Sequence, residues 1–168
     1  MLVMETDGAN LRDRLALSEL CARFSDAANR KDADAFAALW LEGATWTIGP
    51  PVDSRFEGRD EIVAAFTDLV GRHWDYFIQL PTAAHVVEVE RDEAMGRQYV
   101  VELGQAKEGP GNFNVSVYRD VMQRTADGWR FQSREYETLY FDDRPLKGRA
   151  LVDRHGARTS LADRRGAG

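Results

Sequence analysis

Of the three histidines in the chain, His73, His85 and His155, only His85 opens an apolar run, Ala83-Ala84-His85-Val86-Val87. An imidazole titrating near pH 6.5, set on a strand about to enter a core, has two uses: a neutral ring satisfied by backbone, or an acid/base group in a pocket. His73, beside Trp74, suits a helix C-terminus or a pocket rim, and His155 falls in the tail. No His-x-His or Glu-x-x-His spacing occurs, so no metal site is expected, and no other cofactor either. Phosphate-cradling loops, nucleophile elbows and nucleotide-binding glycine patterns are absent. Cys21 is the single cysteine, which excludes a disulfide framework and fits a reducing compartment, the cytoplasm by default.

The elements that would carry these residues follow from periodicity. Leu17, Leu20, Cys21, Phe24 and Ala28 form a stripe of period 3.6 and predict an amphipathic helix from Leu11 to about Arg30. Ser18, Cys21, Ser25 and Asn29 run along one flank of that stripe, a polar edge suited to lining a cavity. Asp32 or Asp34 can cap a short helix through Leu41, and Asp60-Glu61 starts a third helix reaching about His73. Thr45–Ile48 and the region of Arg55-Phe56 read as strands around a Pro50-Pro51 break. After Pro81 the pattern alternates, giving strands at 85–90, 94–105, 113–124 and 129–140, with Asp127-Gly128 a hairpin signal. Helices followed by a meander predict an α+β fold with helices on one face of a curved antiparallel sheet.

At 168 residues, 43% hydrophobic and 30% charged, the chain is expected to form one ordinary soluble domain. The start of the sequence has no basic-then-apolar leader pattern and no stretch of 18 apolar residues occurs, so neither export nor a membrane span is expected. Residues 142–168 hold seven Lys/Arg against four Asp, so with a net charge of −6 the first 141 residues carry about −9. This divides the chain into a domain over 1–141 and a basic, flexible tail over 142–168. The acidic balance argues against nucleic acid as a partner.

Ala44-Thr45-Trp46-Thr47-Ile48, then Phe56-Glu57-Gly58-Arg59-Asp60-Glu61-Ile62, His85, and Asp127-Gly128-Trp129-Arg130-Phe131 occur in an order that resembles the SnoaL-like branch of the nuclear transport factor two-like superfamily. The likeness covers roughly residues 10–140. It implies a cystatin-like roll: a cone-shaped, curved antiparallel sheet with three N-terminal helices, enclosing a pocket. Catalytic relatives include polyketide cyclases, scytalone dehydratase and hexachlorocyclohexane dehydrochlorinase; other members have no catalytic role. In the dehydratase and dehydrochlorinase branch a His on this strand pairs with an Asp near the end of the first helix. Aligned through Lys31-Asp32 and Trp40, that Asp is replaced here by Asn29, and Arg134 stands where the dehydrochlorinase has an Arg.

The resemblance implies a cofactor-independent lyase, isomerase or cyclase acting on a small hydrophobic molecule of polyketide, aromatic or terpenoid type. His85 would be the general base, oriented by Asn29 and Asp26, with Tyr99 or Arg134 as electrophilic help. An amide can fix the ring's tautomer but brings no charge. Strict alternation turns Arg134 away from Trp129 and Phe131 unless a bulge intervenes; it puts Tyr99 with Val101 and Leu103 on the inner face and Glu102 toward solvent. Cys21, Phe24, Ser25, Trp40, Trp46, Phe66, Phe77, Val101 and Phe113 are the expected pocket residues. The competing readings are a non-catalytic binding or scaffold protein and the small subunit of a dioxygenase. Relatives associate through the outer face of the sheet, which implies a homodimer or homotrimer.

Overall fold

The computed structural model describes residues 8–148, and the segment 149–168, most of the basic tail, lies outside them. Two helices precede a seven-stranded sheet and a third follows its second strand: α1 (Gly8–Arg30), α2 (Ala33–Ala37), β1 (Trp40–Ile48), β2 (Ser54–Glu57), α3 (Arg59–Phe66), β3 (Trp74–Pro81), β4 (His85–Glu90), β5 (Glu93–Ala106), β6 (Gly111–Thr125) and β7 (Gly128–Asp142). Strands pair in the order β2-β1-β7-β6-β5-β3, with β4 also on β5. The sheet is curved and open, in an α+β fold. Not all of it is antiparallel: β1 runs parallel to β7, because the chain returns to it only after the whole meander is laid down. No helix among the described residues is long and apolar enough to cross a membrane.

The helices form where their apolar positions recur. Leu17, Leu20, Cys21, Phe24, Ala27 and Ala28 are all buried on one face of α1. Lys31 takes a positive φ of 54° to turn the chain, and the Asp32 carboxylate accepts the Ala35 N–H at 2.9 Å to start α2. That hydrogen bond, together with Arg30, holds the Asp32 pKa below its ordinary value. The short second helix ends earlier than its sequence suggests, since Trp40 and Leu41 already belong to β1. The third helix continues past Phe66 as a π-helical segment, Thr67–Arg72. One strand has no counterpart among the sequence expectations: β3 occupies the stretch between that helix and Pro81.

Phe36 stacks on Phe66 with ring centroids 3.9 Å apart, and Phe24, Trp40 and Phe131 close around them in one continuous core. Along β5 the even positions from Ala94 to Ala106 face inward. That reverses the expected facing: Glu102 is buried, while Tyr99 is 48% exposed on the outer face. Alternation says which residues share a face, never which face is covered, and here the apolar set Tyr99, Val101, Leu103 lies outside.

Arg134 is fully buried despite standing three residues after Phe131, because the register of β6 and β7 shifts between Val121 and Met122. The bulge inserts Gln132 and turns Phe131 and Arg134 to the same side. The guanidinium lies over the rings of Phe24, Tyr118 and Phe131, at 4.1, 3.8 and 4.5 Å from their centroids. It sits 3.1 Å from Asp120 through Nε and donates to Gln98 at 3.1 Å through Nη2. The Cys21 thiol donates to Asp120 at 3.7 Å, and burial pushes that thiol up to about 12, which leaves it inert.

Replacing Phe36 with Ala removes a ring with no exposed surface, and denaturant unfolding is expected to show a loss of about 3–5 kcal/mol. Burial pushes Asp120 up to about 6, against the opposing pull of Arg134. A raised carboxyl pKa means that this group's contribution to stability is complete below its ordinary value of 3.8 and falls away as pH climbs through about 6. Carboxyl-carbon NMR should therefore find an Asp120 midpoint near 6, and Arg134→Met should move it higher still by removing the counter-charge.

Candidate functional site

Between α1, the third helix with its π-helical extension, and the inner face of the sheet lies a cavity of about 350 Å³. That is within the range of small-molecule sites, roughly 300–1,000 Å³. One side is apolar: Phe24 from α1, Trp46 and Ile48 from β1, Phe66 from α3, and Trp74 and Phe77 from β3. Leu69 and Val70 of the π-helical segment complete it. Gly104 is what allows Trp74 to lie across β5, since a Cβ there would meet the indole at 2.9 Å. Pro51, Val52, His73, Pro110 and Phe141 stand nearer the rim, where His73, Val52 and Phe141 are exposed.

The other side is polar, and it is built by strand alternation. Asn112, Asn114, Ser116 and Tyr118 are successive inward positions on β6, facing Glu102 on β5, Gln79 on β3 and Tyr136 on β7. Glu102, only 7% exposed, is the hub of this wall. It accepts from Gln79 Nε2 at 2.6 Å, from Asn114 Nδ2 at 2.9 Å and from the Tyr136 hydroxyl at 2.6 Å. Its donors are themselves held. Ser25 donates to the Gln79 side-chain oxygen at 2.6 Å, and Ser116 donates to that of Asn114 at 3.1 Å. Gln79 Nε2 also reaches the Tyr118 hydroxyl at 3.2 Å. Burial, reinforced by the negative Glu102, raises both the Tyr118 and Tyr136 phenols well above their ordinary range, so each stays a neutral hydroxyl.

The expected site residues are only partly brought together. Phe24, Trp46, Phe66 and Phe77 line the cavity. Cys21, Ser25 and Trp40 are buried but lie behind the lining, Ser25 acting through Gln79. Val101 and Phe113 belong to the outer face, with Tyr99, and do not touch the cavity. Asp26 is exposed and paired with Arg30 at 2.9 Å. Arg134 is inward but sits behind Tyr118, already engaged by Asp120 and Gln98.

His85 is exposed at the start of β4, across from Arg97, and does not line the cavity. Nor does Asn29 orient it. The Asn29 amide instead bridges the backbone of Gln79, donating to its carbonyl at 2.9 Å and accepting its N–H at 2.6 Å. The reason is β3, which runs between α1 and the end of β5 and so takes the position facing Asn29. Where the resemblance implies a His opposite an Asp, this chain has Gln79 opposite Asn29.

Gln79, Glu102, Asn112, Asn114 and Tyr136 are the site residues that sequence reading missed. A signal for them exists: polar side chains at every second position of β6, from Asn112 to Asp120, cannot belong to a face that is both inward and purely apolar. Among the described residues no group of three His, Cys, Asp or Glu could hold a metal ion.

This arrangement can do three things: enclose an apolar molecule, present one oriented carboxylate to it, and offer neutral phenol and amide groups beside that carboxylate. Solved structures share the frame. A hexachlorocyclohexane dehydrochlorinase, LinA type 3 of Novosphingobium barchaimii LL02, superimposes with a TM-score of 0.73 at 24% identity, over 85% of this chain and 96% of that one. A candidate scytalone dehydratase of Novosphingobium aromaticivorans DSM 12444 gives 0.72 at 20% identity, over 84% and 97%. An NTF2-like protein with a cystatin-like fold, also from N. aromaticivorans, gives 0.64 at 29% identity, over 81% and 92%. No curated protein sequence matches the chain. The SnoaL-like domain pattern matches residues 9–135, from the first helix through the strand that carries Arg134, and the chain therefore belongs to the SnoaL-like domain family.

Proposed function

We propose that this protein is a cofactor-independent enzyme of the lyase or isomerase type, moving a proton on a small, mainly apolar ring compound with Glu102 as the acid/base group. The observation that carries this reading is a single carboxylate, buried at the polar wall of an aromatic-lined cavity and oriented by three neutral donors. A group so held needs no reorganisation when a substrate arrives. Tyr118 and Tyr136, kept neutral by burial, are hydroxyls beside the reacting centre. Likeness to a dehydrochlorinase and to a candidate scytalone dehydratase supports elimination chemistry, and polyketide, aromatic and terpenoid compounds all suit the walls. The role first expected of His85 passes to Glu102, because a base must reach the substrate.

One observation favours a second reading, a non-catalytic binding protein. Asn29 is an amide where the resemblance places the Asp of the pair, and the residue it meets is a second amide, Gln79, rather than His85; neither amide titrates near neutrality.

Met95, Tyr99, Phe113, Leu139 and Tyr140 stand exposed on the strands of the sheet, which supports self-association of two or three copies through that side. The free, buried Cys21 supports a reducing compartment such as the cytoplasm.

The test is a panel of small cyclic compounds incubated in D₂O, read by NMR for deuterium uptake or elimination. Glu102→Gln should cut turnover about 10²–10⁴-fold with a melting temperature within a few degrees of wild type, and His85→Ala should leave turnover unchanged. A folded Glu102→Gln protein with full activity would refute the proposal, as would loss of activity confined to His85→Ala.

A further inference from the structure

The buried charged side chains among the described residues are Glu102, Asp120 and Arg134. Arg134 and Asp120 answer each other at 3.1 Å. Glu102 has no such partner: its hydrogen bonds come from an amide of Gln79, an amide of Asn114 and a phenol of Tyr136, none of them cationic. Among the described residues no Lys or Arg lines the cavity, and His73, which does, is exposed at its rim. Among the described residues the cavity therefore holds a carboxyl group met only by neutral donors, and a cation is the partner that proteins ordinarily set against such a group.

The rest of the lining points the same way. Phe24, Trp46, Phe66, Trp74, Phe77 and Phe141 all contribute to the wall, and the face of an aromatic ring is the negative pole of its quadrupole. Three hydrogen bonds leave Glu102 with one of its about four acceptor positions to offer. A carboxylate ligand would meet repulsion here, and a hydrocarbon would gain only burial. A cation would gain burial, the charge of Glu102 and the ring faces together.

We infer that the cavity takes a ligand bearing a cationic nitrogen, a protonated or quaternary amine on a small apolar frame, with Glu102 as its counter-ion. This rests on the reading of the cavity as the ligand site and names the class of molecule that fills it. The ammonium sits between the free side of the carboxylate and the Trp74 indole, and the apolar frame lies along Trp46 and Phe66.

The experiment compares three probes of matched shape, benzyltrimethylammonium, its neutral carbon isostere neopentylbenzene, and phenylacetate, by NMR titration of the full-length protein. Wild type should bind the ammonium about thirtyfold more tightly than the isostere, the ratio for a desolvated cation–π contact of about 2 kcal/mol, and phenylacetate weakest. In Glu102→Gln the gap between benzyltrimethylammonium and neopentylbenzene should narrow, with neopentylbenzene unaffected. Trp74→Leu supplies an independent check should Glu102→Gln not fold, since losing an indole face must weaken the ammonium more than the hydrocarbon. If neopentylbenzene binds wild type as well as the ammonium, or if the preference is undiminished in Glu102→Gln or unmoved by Trp74→Leu, the amine class is refuted while the cavity stands as a site for neutral molecules. If no probe binds, both the amine class and the cavity as ligand site fall.

Discussion

A carboxylate carried into the interior on a strand must find its hydrogen bonds inside the protein, and the inner wall of this molecule is organised around that demand. Glu102 draws donors from three other strands, Gln79 on β3, Asn114 on β6 and Tyr136 on β7. Those donors in turn recruit Ser25 from the first helix and Ser116 from β6. Leaving such a group unsatisfied costs more than any one of these bonds contributes. Position, rotamer and register of the neighbouring polar residues are thus tied to one another, and the apolar cavity wall has a fixed polar side to face.

The same logic accounts for the second buried polar cluster, though it serves a different end. Arg134 is brought inward by one inserted residue, Gln132, and is enclosed by three aromatic faces, with Asp120 and Gln98 as its polar contacts. Its own charge is answered within the core, so it backs Tyr118 rather than reaching into the cavity. Two buried acids in one small domain therefore differ in kind: Asp120 faces an arginine, and Glu102 faces neutral donors and the cavity.

The pairing of Asn29 with the backbone of Gln79 ties the first helix to the sheet beside the cavity. The first helix and β3 meet at the same place, held by two short hydrogen bonds through one amide. That contact fixes the helix to the sheet and gives neither a proton acceptor nor a charge. The carboxyl group of the lining stands on the neighbouring strand, β5, at Glu102.

What the sequence by itself determined is what depends on local period and local chemistry: the apolar stripe of the first helix, the aspartate that caps the second, the acidic start of the third, the hairpin at Asp127-Gly128 and the long strands on either side of it. From these the α+β class, the helix-before-sheet order and the aromatic half of the cavity, Phe24, Trp46, Phe66 and Phe77, were all legible. The polar half was not. Whether Tyr99 or Glu102 faces inward depends on which face of β5 the helices cover, and alternation is symmetric on that point. Whether Arg134 is buried depends on a bulge set by pairing with β6. That His85 is exposed while Gln79 meets Asn29 depends on β3, a strand whose partners lie 19 to 32 residues away in sequence. These are non-local pairings, and only the assembled sheet, by setting buried polar groups such as Glu102 against residues from other strands, decided them.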